Sequence, residues 1–396
     1  MSKRILISGA SVAGNTAAYW LGKLGFEVSV VEKWPDFRKG GQNIDVRDVG
    51  RDVLRRMGLD QAALDRGTRE EGTAWIDHEG EVVAEFVTEE LGADGPTAEL
   101  EILRGDLAEL LYVEAKKQCD FRFGDSITRI DDRRDGVEVH FKTGGREAFD
   151  AVIIAEGVGS ASRELVFPGE NDPRWMDLTI GYFTIPRAPD DDRMWRWYNA
   201  THGRSISLRP DDHGTARAML SIRKPSEGEE DWDEERQRAY LRDQFRDAGW
   251  KADRVLAGLQ TTDDFYFDVL RQVRLEKWSK GRVVLLGDAA WCATPMAGVG
   301  ATLAVTGAYV LAQEMARHSD LPAAFTAYEQ NMRPMVEEGQ GVPKFGTKMM
   351  NPQTSIGIKF LHTALHLASM PPVKTVMGKA FSRKLKTPDL DAYDQL

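Results

Sequence analysis

Gly9, Ser11 and Gly14 stand where the pattern G-x-G-x-x-G places its three glycines. Glu32 follows at close to the ~20-residue spacing of an acid that binds a ribose. Together these residue types can hold a nucleotide diphosphate. The first glycine allows a tight turn, and the third lets a helix pack closely on a strand. Backbone N–H groups at the helix N-terminus would face the pyrophosphate. Ser11 departs from the pattern but is small enough for the backbone to approach a ligand. Ala13 lies in the same turn and Lys33 beside the acid. The bland alternative is a βαβ unit with no ligand. An acid at position 32 favours a free ribose 2′-hydroxyl, and so FAD or NAD over NADP.

A second chemical cluster lies far downstream, in "KGRVVLLGDAAWCATPMAGVGATLAVTGAYVLAQEM". An apolar strand leads into Gly287-Asp288, then a loop with Pro295, then Gly298, Val299, Gly300 and Ala301 before a helix. A carboxylate at a strand end can accept hydrogen bonds from ribityl hydroxyls, and a helix N-terminus favours negative charge nearby.

The elements that must position these residues follow from periodicity. Ile5–Ile7 is a short apolar run suited to a strand buried on both faces. Ala17, Ala18, Trp20, Leu21 and Leu24 recur at helical spacing, with Gly25 as the stop. "FEVSVVEK" reads as a second strand and "DAVIIAEGVGSASR" as a third running into a Gly/Ser turn. The 396-residue length suffices for two or three lobes.

The net charge of −11 argues against a nucleic-acid partner. Cys119 and Cys292 have no metal-ligand spacing, so no metal is expected. No apolar run reaches the ~20 residues of a membrane span, and no signal peptide is evident. A cytoplasmic protein is the expectation, with a membrane partner not expected and oligomeric state open.

Three segments in this order carry a family resemblance: Gly9–Gly14 with Glu32, "EGVGSASR" at Glu156–Arg163, and "GDAAWCATP" at Gly287–Pro295. The chain resembles the single-component FAD-dependent aromatic monooxygenases of the para-hydroxybenzoate hydroxylase class, nearest to polyketide- and tetracycline-oxidising members. "EILRGDLAELL" adds Arg104 at the place of an arginine turned toward the FAD. "GGQNIDVR" adds Gln42 and Arg47 in the segment that passes the flavin ring. Arg47 is the candidate catalytic side chain, with a surface ion pair as its bland role. Two departures stand out: Glu156, at the place of an acid that the resemblance links to FAD and NADPH binding, replaces the usual aspartate, and Trp291 follows GDAA where the family usually has histidine.

The resemblance implies an α/β fold: a Rossmann-like FAD-binding domain, an inserted antiparallel-sheet substrate domain and C-terminal helices. The expected FAD domain is discontinuous, over residues 1–74, 100–165 and 277–325. The substrate domain would span 75–99 and 166–276, and the C-terminal helical region 326–396. The implied reaction hydroxylates an aromatic or polyketide-like molecule with NADPH (or NADH) and O2, through a C4a-hydroperoxyflavin.

The substrate sheet is expected from "DLTIGYFTIPR", "RMWRWYNA", "RSISLRP" and "TARAMLSIRK". Side chains alternate across a sheet. Either Trp195, Trp197 and Asn199 or Met194, Arg196 and Tyr198 face the ligand. The tryptophan set suits an aromatic pocket, with Trp291 beside it. Gln340 to Pro388 holds eight Lys or Arg and no acid, read as the solvated face of helices whose apolar side closes over the pocket.

Among rivals, a flavin halogenase would need W-x-W-x-I-P, whereas Trp197 is followed by Tyr198-Asn199-Ala200. An FAD-dependent prenyl-lipid reductase draws support only from the basic C-terminal run. A non-catalytic flavin-binding partner protein would not need three flavin segments.

Overall fold

The computed structural model describes residues 2–87, 100–341, 345–370, 373 and 385–394. Residues 88–99 of the expected substrate domain lie outside these, as do Lys344, Lys374, Lys379, Arg383 and Lys384 of the basic run.

The first strand, Arg4–Ser8, is the hub of a six-stranded sheet. It pairs in parallel with Glu27–Glu32 on one side and Ala151–Ile154 on the other. Val283–Leu285 extends the parallel order beyond Ala151–Ile154, and Asp120–Phe123 extends it beyond Glu27–Glu32. These strands are runs of Val, Ile and Leu because helices cover both faces of the sheet. The helix Val12–Lys23 packs against Gly300–Arg317, which packs on Leu321–Gln340. Phe325, Tyr328, Met332 and Met335 of that last helix are fully buried in the same core as Ile5 and Ile7. The expected boundary at residue 326 therefore cuts a helix that belongs to the first lobe. A three-stranded antiparallel sheet, with Gly136–Phe141 in the middle, flanks this lobe.

The second lobe is built on a seven-stranded sheet. Its order is Phe265–Gln272, Arg174–Pro186, Thr215–Ile222, Arg204–Pro210, Met194–Ala200, Gly72–Ile76 and Val82–Val87. The four expected strands are its centre. Asp211 makes the Pro210–Gly214 turn, accepting the His213 and Thr215 N–H groups at 2.9 and 3.0 Å. Two details correct the expectation. Gly72–Ile76 joins this sheet, so the expected boundary after residue 74 falls inside a strand. It also pairs in parallel with Met194–Ala200, so the sheet is mixed.

The faces of this sheet are unlike. On one, Ile76, Tyr198, Ile206 and Leu220 pack with Leu241 and Phe245 of the helix Glu234–Phe245 and with Val255 of Ala252–Thr261. Gly181 is required there, because a Cβ would lie 2.3 Å from Leu241 Cδ1. Strand register carries Trp75, Trp197, Ser207, Met219, Tyr182 and Tyr266 into one row on the other face.

Candidate functional site: a glycine turn, a glycine-rich loop and an aromatic sheet face

The first motif forms as its residue types require. Gly9 has φ +110°, and a Cβ there would lie 2.4 Å from the Ala155 carbonyl oxygen. A Cβ on Gly14 would lie 1.9 Å from the Gly9 carbonyl oxygen. The turn is thus pressed between the first helix and the end of the neighbouring strand. Ser11 caps the helix without a side-chain bond to its amides, so those N–H groups remain available to an anion. The Ser11 hydroxyl instead accepts from Arg104 Nη1 at 3.1 Å. Burial and the nearby Arg38 lower the pKa of Arg104, an arginine that stays charged regardless.

Glu32 accepts the Ala10 N–H at 2.8 Å and the Trp34 N–H at 3.1 Å. Each oxygen keeps lone pairs for further donors. Lys33 projects to the surface over the Trp34 ring. The first and third motifs meet at Ala13, whose Cβ lies 2.9 Å from an ideal Cβ on Gly287.

Asp288 sits deep among protein atoms and yet is solvent-accessible. That combination marks a side chain lining a cleft. Burial pushes its carboxyl up to about 6. Past it, Pro295–Ala297 makes one 3-10 turn, and Gly298 turns the chain at φ +62° into the helix Gly300–Arg317. Pro295 is exposed and Gly298, Val299, Gly300 and Ala301 are half-buried, so the loop and helix start are open on one side.

The strand Asn43–Val46 faces this loop. An ideal Cβ on Gly298 would lie 3.8 Å from Asp45 Oδ2. Arg47 donates to that same oxygen at 3.0 Å, and its backbone N–H donates to Thr302 Oγ1 at 2.9 Å. Arg47 is therefore beside the loop, in an ion pair with a buried acid. Gln42 accepts the Arg104 backbone N–H at 3.0 Å. Gly41, Gln42, Tyr182, Arg217, Asp264 and Tyr266 line a cleft between this segment and the second lobe.

The Glu156 carboxylate is occupied by donors from its own turn and from the first strand. Its Oε1 accepts from Ser8 Oγ at 2.5 Å and Ser162 Oγ at 2.6 Å. Its Oε2 accepts from Ser160 Oγ at 2.7 Å and the Ser162 N–H at 3.0 Å. The longer glutamate reaches across to the first strand and is consumed in holding the turn.

Of the expected pocket residues, Trp195 and Trp197 share the face opposite the helices, their rings 4.8 Å apart. Trp197 also stacks on Trp75 at 6.3 Å. Asn199 is on that face too, donating to the Met350 carbonyl at 2.8 Å beneath the C-terminal segment. Tyr198 of the alternative set is on the other face, donating to Ala248 O. Near the end of the sheet, Tyr182 and Met219, together with Met296 and Ala297 of the loop, pack against one small buried cluster of Met176, Leu178, Ile180 and Leu270.

Trp291 is a correction. It is 1% exposed in the core of the first lobe, 4.6 Å from Trp278 and 5.8 Å from Tyr328. Gly307 makes the room, since a Cβ there would lie 2.9 Å from the indole. The C-terminal helix Ser355–Ser369 packs along Val82–Val87 and Met194–Ala200, but Ile356 and Phe360 are 79% and 76% exposed. Its apolar side is thus only partly turned inward.

Sequence reasoning missed a buried charge cluster at the lobe boundary. Arg209 bonds Glu70 at 2.7 Å and Glu101 at 2.9 Å, and its guanidinium lies 4.0 Å over the Trp195 ring. Asn43 and Thr68 donate to the same Glu101 carboxylate. Burial raises the pKa of Glu70 and Asp45, against the lowering effect of Arg209. Asp268 was missed as well, and burial pushes it up to about 7. The signal for Asp45 was its place two residues before Arg47 in a strand. The others are joined only in three dimensions.

The donor set fits an FAD: an uncapped helix N-terminus, a half-satisfied acid at a strand end, and a cleft-facing aspartate beside a glycine-rich helix start. Comparison with known proteins agrees. Residues 3–338 match the family model described as FAD binding domain. An uncharacterized Mycobacterium tuberculosis protein is 38% identical over 85% of this chain and 92% of its own length. The monooxygenase CTB7 of Cercospora beticola is 35% identical over 99% of this chain and 98% of its own. The crystal structure of tetracycline destructase Tet(51) aligns with TM-score 0.80 and 31% identity, covering 93% of this chain and 97% of that one. The chain belongs to the FAD-binding-domain family and is an FAD-dependent monooxygenase.

Proposed function

We propose that this monooxygenase uses NADPH (or NADH) and O2 to hydroxylate an aromatic, polyketide-like small molecule. One observation carries the reading. The row from Trp75 and Trp197 to Tyr182 and Tyr266 lies on one sheet face, and Tyr182 and Met219 of that row pack against the same buried cluster, Met176, Leu178, Ile180 and Leu270, as Met296 and Ala297 of the glycine-rich loop. An aromatic-rich wall beside the flavin-facing loop suits a flat apolar substrate. The names of the relatives point the same way.

In this reading, Gly9, Ser11, Ala13 and Gly14 hold the pyrophosphate, and Glu32 holds the adenosine ribose. Asp288 takes the ribityl chain. Arg104, Gln42, Arg47 and the Pro295–Ala301 segment border the ring. FAD, when bound, supplies electron transfer and oxygen activation. The chain's own task is to orient substrate and ring and to keep water out. Residues 1–74, 100–165 and 277–325 serve the cofactor, with Leu321–Gln340 added to their core. Residues 75–99 and 166–276 serve the substrate, with Gly72–Ala74 added. No helix among the described residues is long and apolar enough to cross a membrane.

The test is oxygen uptake by purified, yellow protein with NADPH or NADH and a panel of hydroxylated anthraquinones, tetracyclines and hydroxybenzoates. The expected product is heavier by one oxygen atom and forms only with O2. Oxygen-independent reduction of a panel compound, or no uptake with any of them, would overturn the reading.

A further inference from the structure

The loop Gly40–Gln42 is gripped from two sides. Behind it, Arg104 donates to the Gly40 carbonyl and to Ser11 Oγ. Gly105 leaves no room there either, since a Cβ would lie 1.6 Å from the Lys39 carbonyl oxygen. In front stands Asp264, which the sequence did not single out. Its Oδ2 accepts from Thr184 Oγ1 at 2.7 Å and Arg217 Nη1 at 2.8 Å. The Gly41 N–H points at the same oxygen, 3.4 Å away. A Cβ on Gly40 would lie 2.2 Å from Asp264 Oδ1. Arg217 is itself fixed by Asp211 at 3.1 Å. Thr184 and Arg217 pair across the sheet in the row next to Tyr182 and Met219, on the same face. One carboxylate thus connects the segment that borders the cofactor to the sheet face beside the substrate.

We propose that Asp264 is a positioning residue that keys the Gly40–Gln42 loop to the substrate sheet, so that occupancy of the sheet face is transmitted to the loop beside the flavin. This rests on the assignment of that face to substrate made above. The coupling is mainly steric. Gly40 fits against the carboxylate only while Arg217 and Thr184 hold it in place. A substrate that shifts Arg217 or its neighbour Tyr182 moves the carboxylate, and the loop follows. Two discrete arrangements of one contact suffice for such coupling.

The experiment uses full-length Asp264→Ala, Asp264→Asn and Gly40→Ala, the last pushing the carboxylate away while leaving it to Arg217. The first readout is trypsin cleavage after the exposed Arg38 and Lys39, in FAD-free and FAD-loaded protein. Cleavage in Asp264→Ala and Gly40→Ala is expected to be at least ~3-fold faster, with Asp264→Asn between them and wild type. The second readout is the rate of anaerobic flavin bleaching by NADPH with an accepted substrate, divided by the rate without it. That ratio is expected to fall at least ~3-fold in the same two variants at full FAD content. Wild-type cleavage rates and a wild-type ratio in both variants would overturn the proposal. A wild type that reacts with no substrate would defeat the function proposed above, and the cleavage rates would still decide the role of Asp264.

Discussion

Glu156 accepts a hydrogen bond from Ser8 Oγ at 2.5 Å, so the second glycine-rich turn is tied to the first strand of the molecule. Three further donors, from Ser160 and Ser162, fill the same carboxylate. Glu156→Ala strands these hydroxyls and is expected to cost ~2–4 kcal/mol of stability. Glu156→Asp is one methylene short of Ser8 and should lose about half as much. Urea-unfolding midpoints check this, and a wild-type midpoint for Glu156→Ala would refute it.

Arg209 neutralises Glu70 and Glu101 where both are almost wholly buried. Arg209→Met keeps the bulk over Trp195 but leaves two acids without their counter-charge. The expected loss is ~3–5 kcal/mol at pH 8 and less at pH 5, where Glu70, whose pKa burial already raises, can take up a proton. Melting temperatures at the two pH values decide it, and an equal loss at both would show that packing, not charge, is what Arg209 supplies.

The turns of the three glycine-rich segments were legible because each is local. Glycines at Gly9 and Gly14 and an acid at Glu32 leave their mark within one βαβ unit. The orientation of Trp195 and Trp197 was open because both faces of that strand carry large side chains. Only the packing of Tyr198 against the helix side settles it. Trp291 misled because the motif places it three residues after Asp288, while Trp278 and Tyr328, distant in sequence, draw it into the core. Asp264 and Arg209 were invisible for the same reason: their partners are distant in sequence, Thr184, Arg217 and Gly41 for the one and Glu70 and Glu101 for the other.

Asp268, at about 7, and Asp288, at about 6, stand above the ordinary aspartate value of 3.8. Between those values the folded chain binds more protons than the unfolded one. Their contribution to stability is therefore fully present below about pH 4 and is lost as pH rises through the folded values. Asp268→Asn cannot ionise. The melting temperature of its FAD-free form, relative to wild type, should rise from pH 5 to about pH 7 and level off above it. A constant difference across that range would mean that Asp268 does not titrate there.

Asp288→Ala should keep the fold, since the side chain lines a cleft and fills no core position. FAD affinity should drop about 10-fold, the worth of one or two hydrogen bonds to a carboxylate. Titration of the FAD-free protein with FAD, followed by flavin fluorescence, measures it. Unchanged affinity would mean that the aspartate does not touch the cofactor.

The parallel pairing of Gly72–Ile76 with Met194–Ala200 has a consequence for synthesis. Strands 72–76 and 82–87 form a hairpin early, yet the edge they must join does not exist until more than a hundred further residues have been made. Until then the hairpin carries Trp75 and Phe86 with one side unpaired. Such an edge is a template for pairing with the wrong chain. The growing polypeptide therefore has a period of vulnerability that ends only when Met194–Ala200 leaves the ribosome. Slower elongation between those two points would lengthen that period and lower the yield of soluble protein, while a stop placed just after Ala200 would release a chain whose second lobe still lacks its three remaining strands.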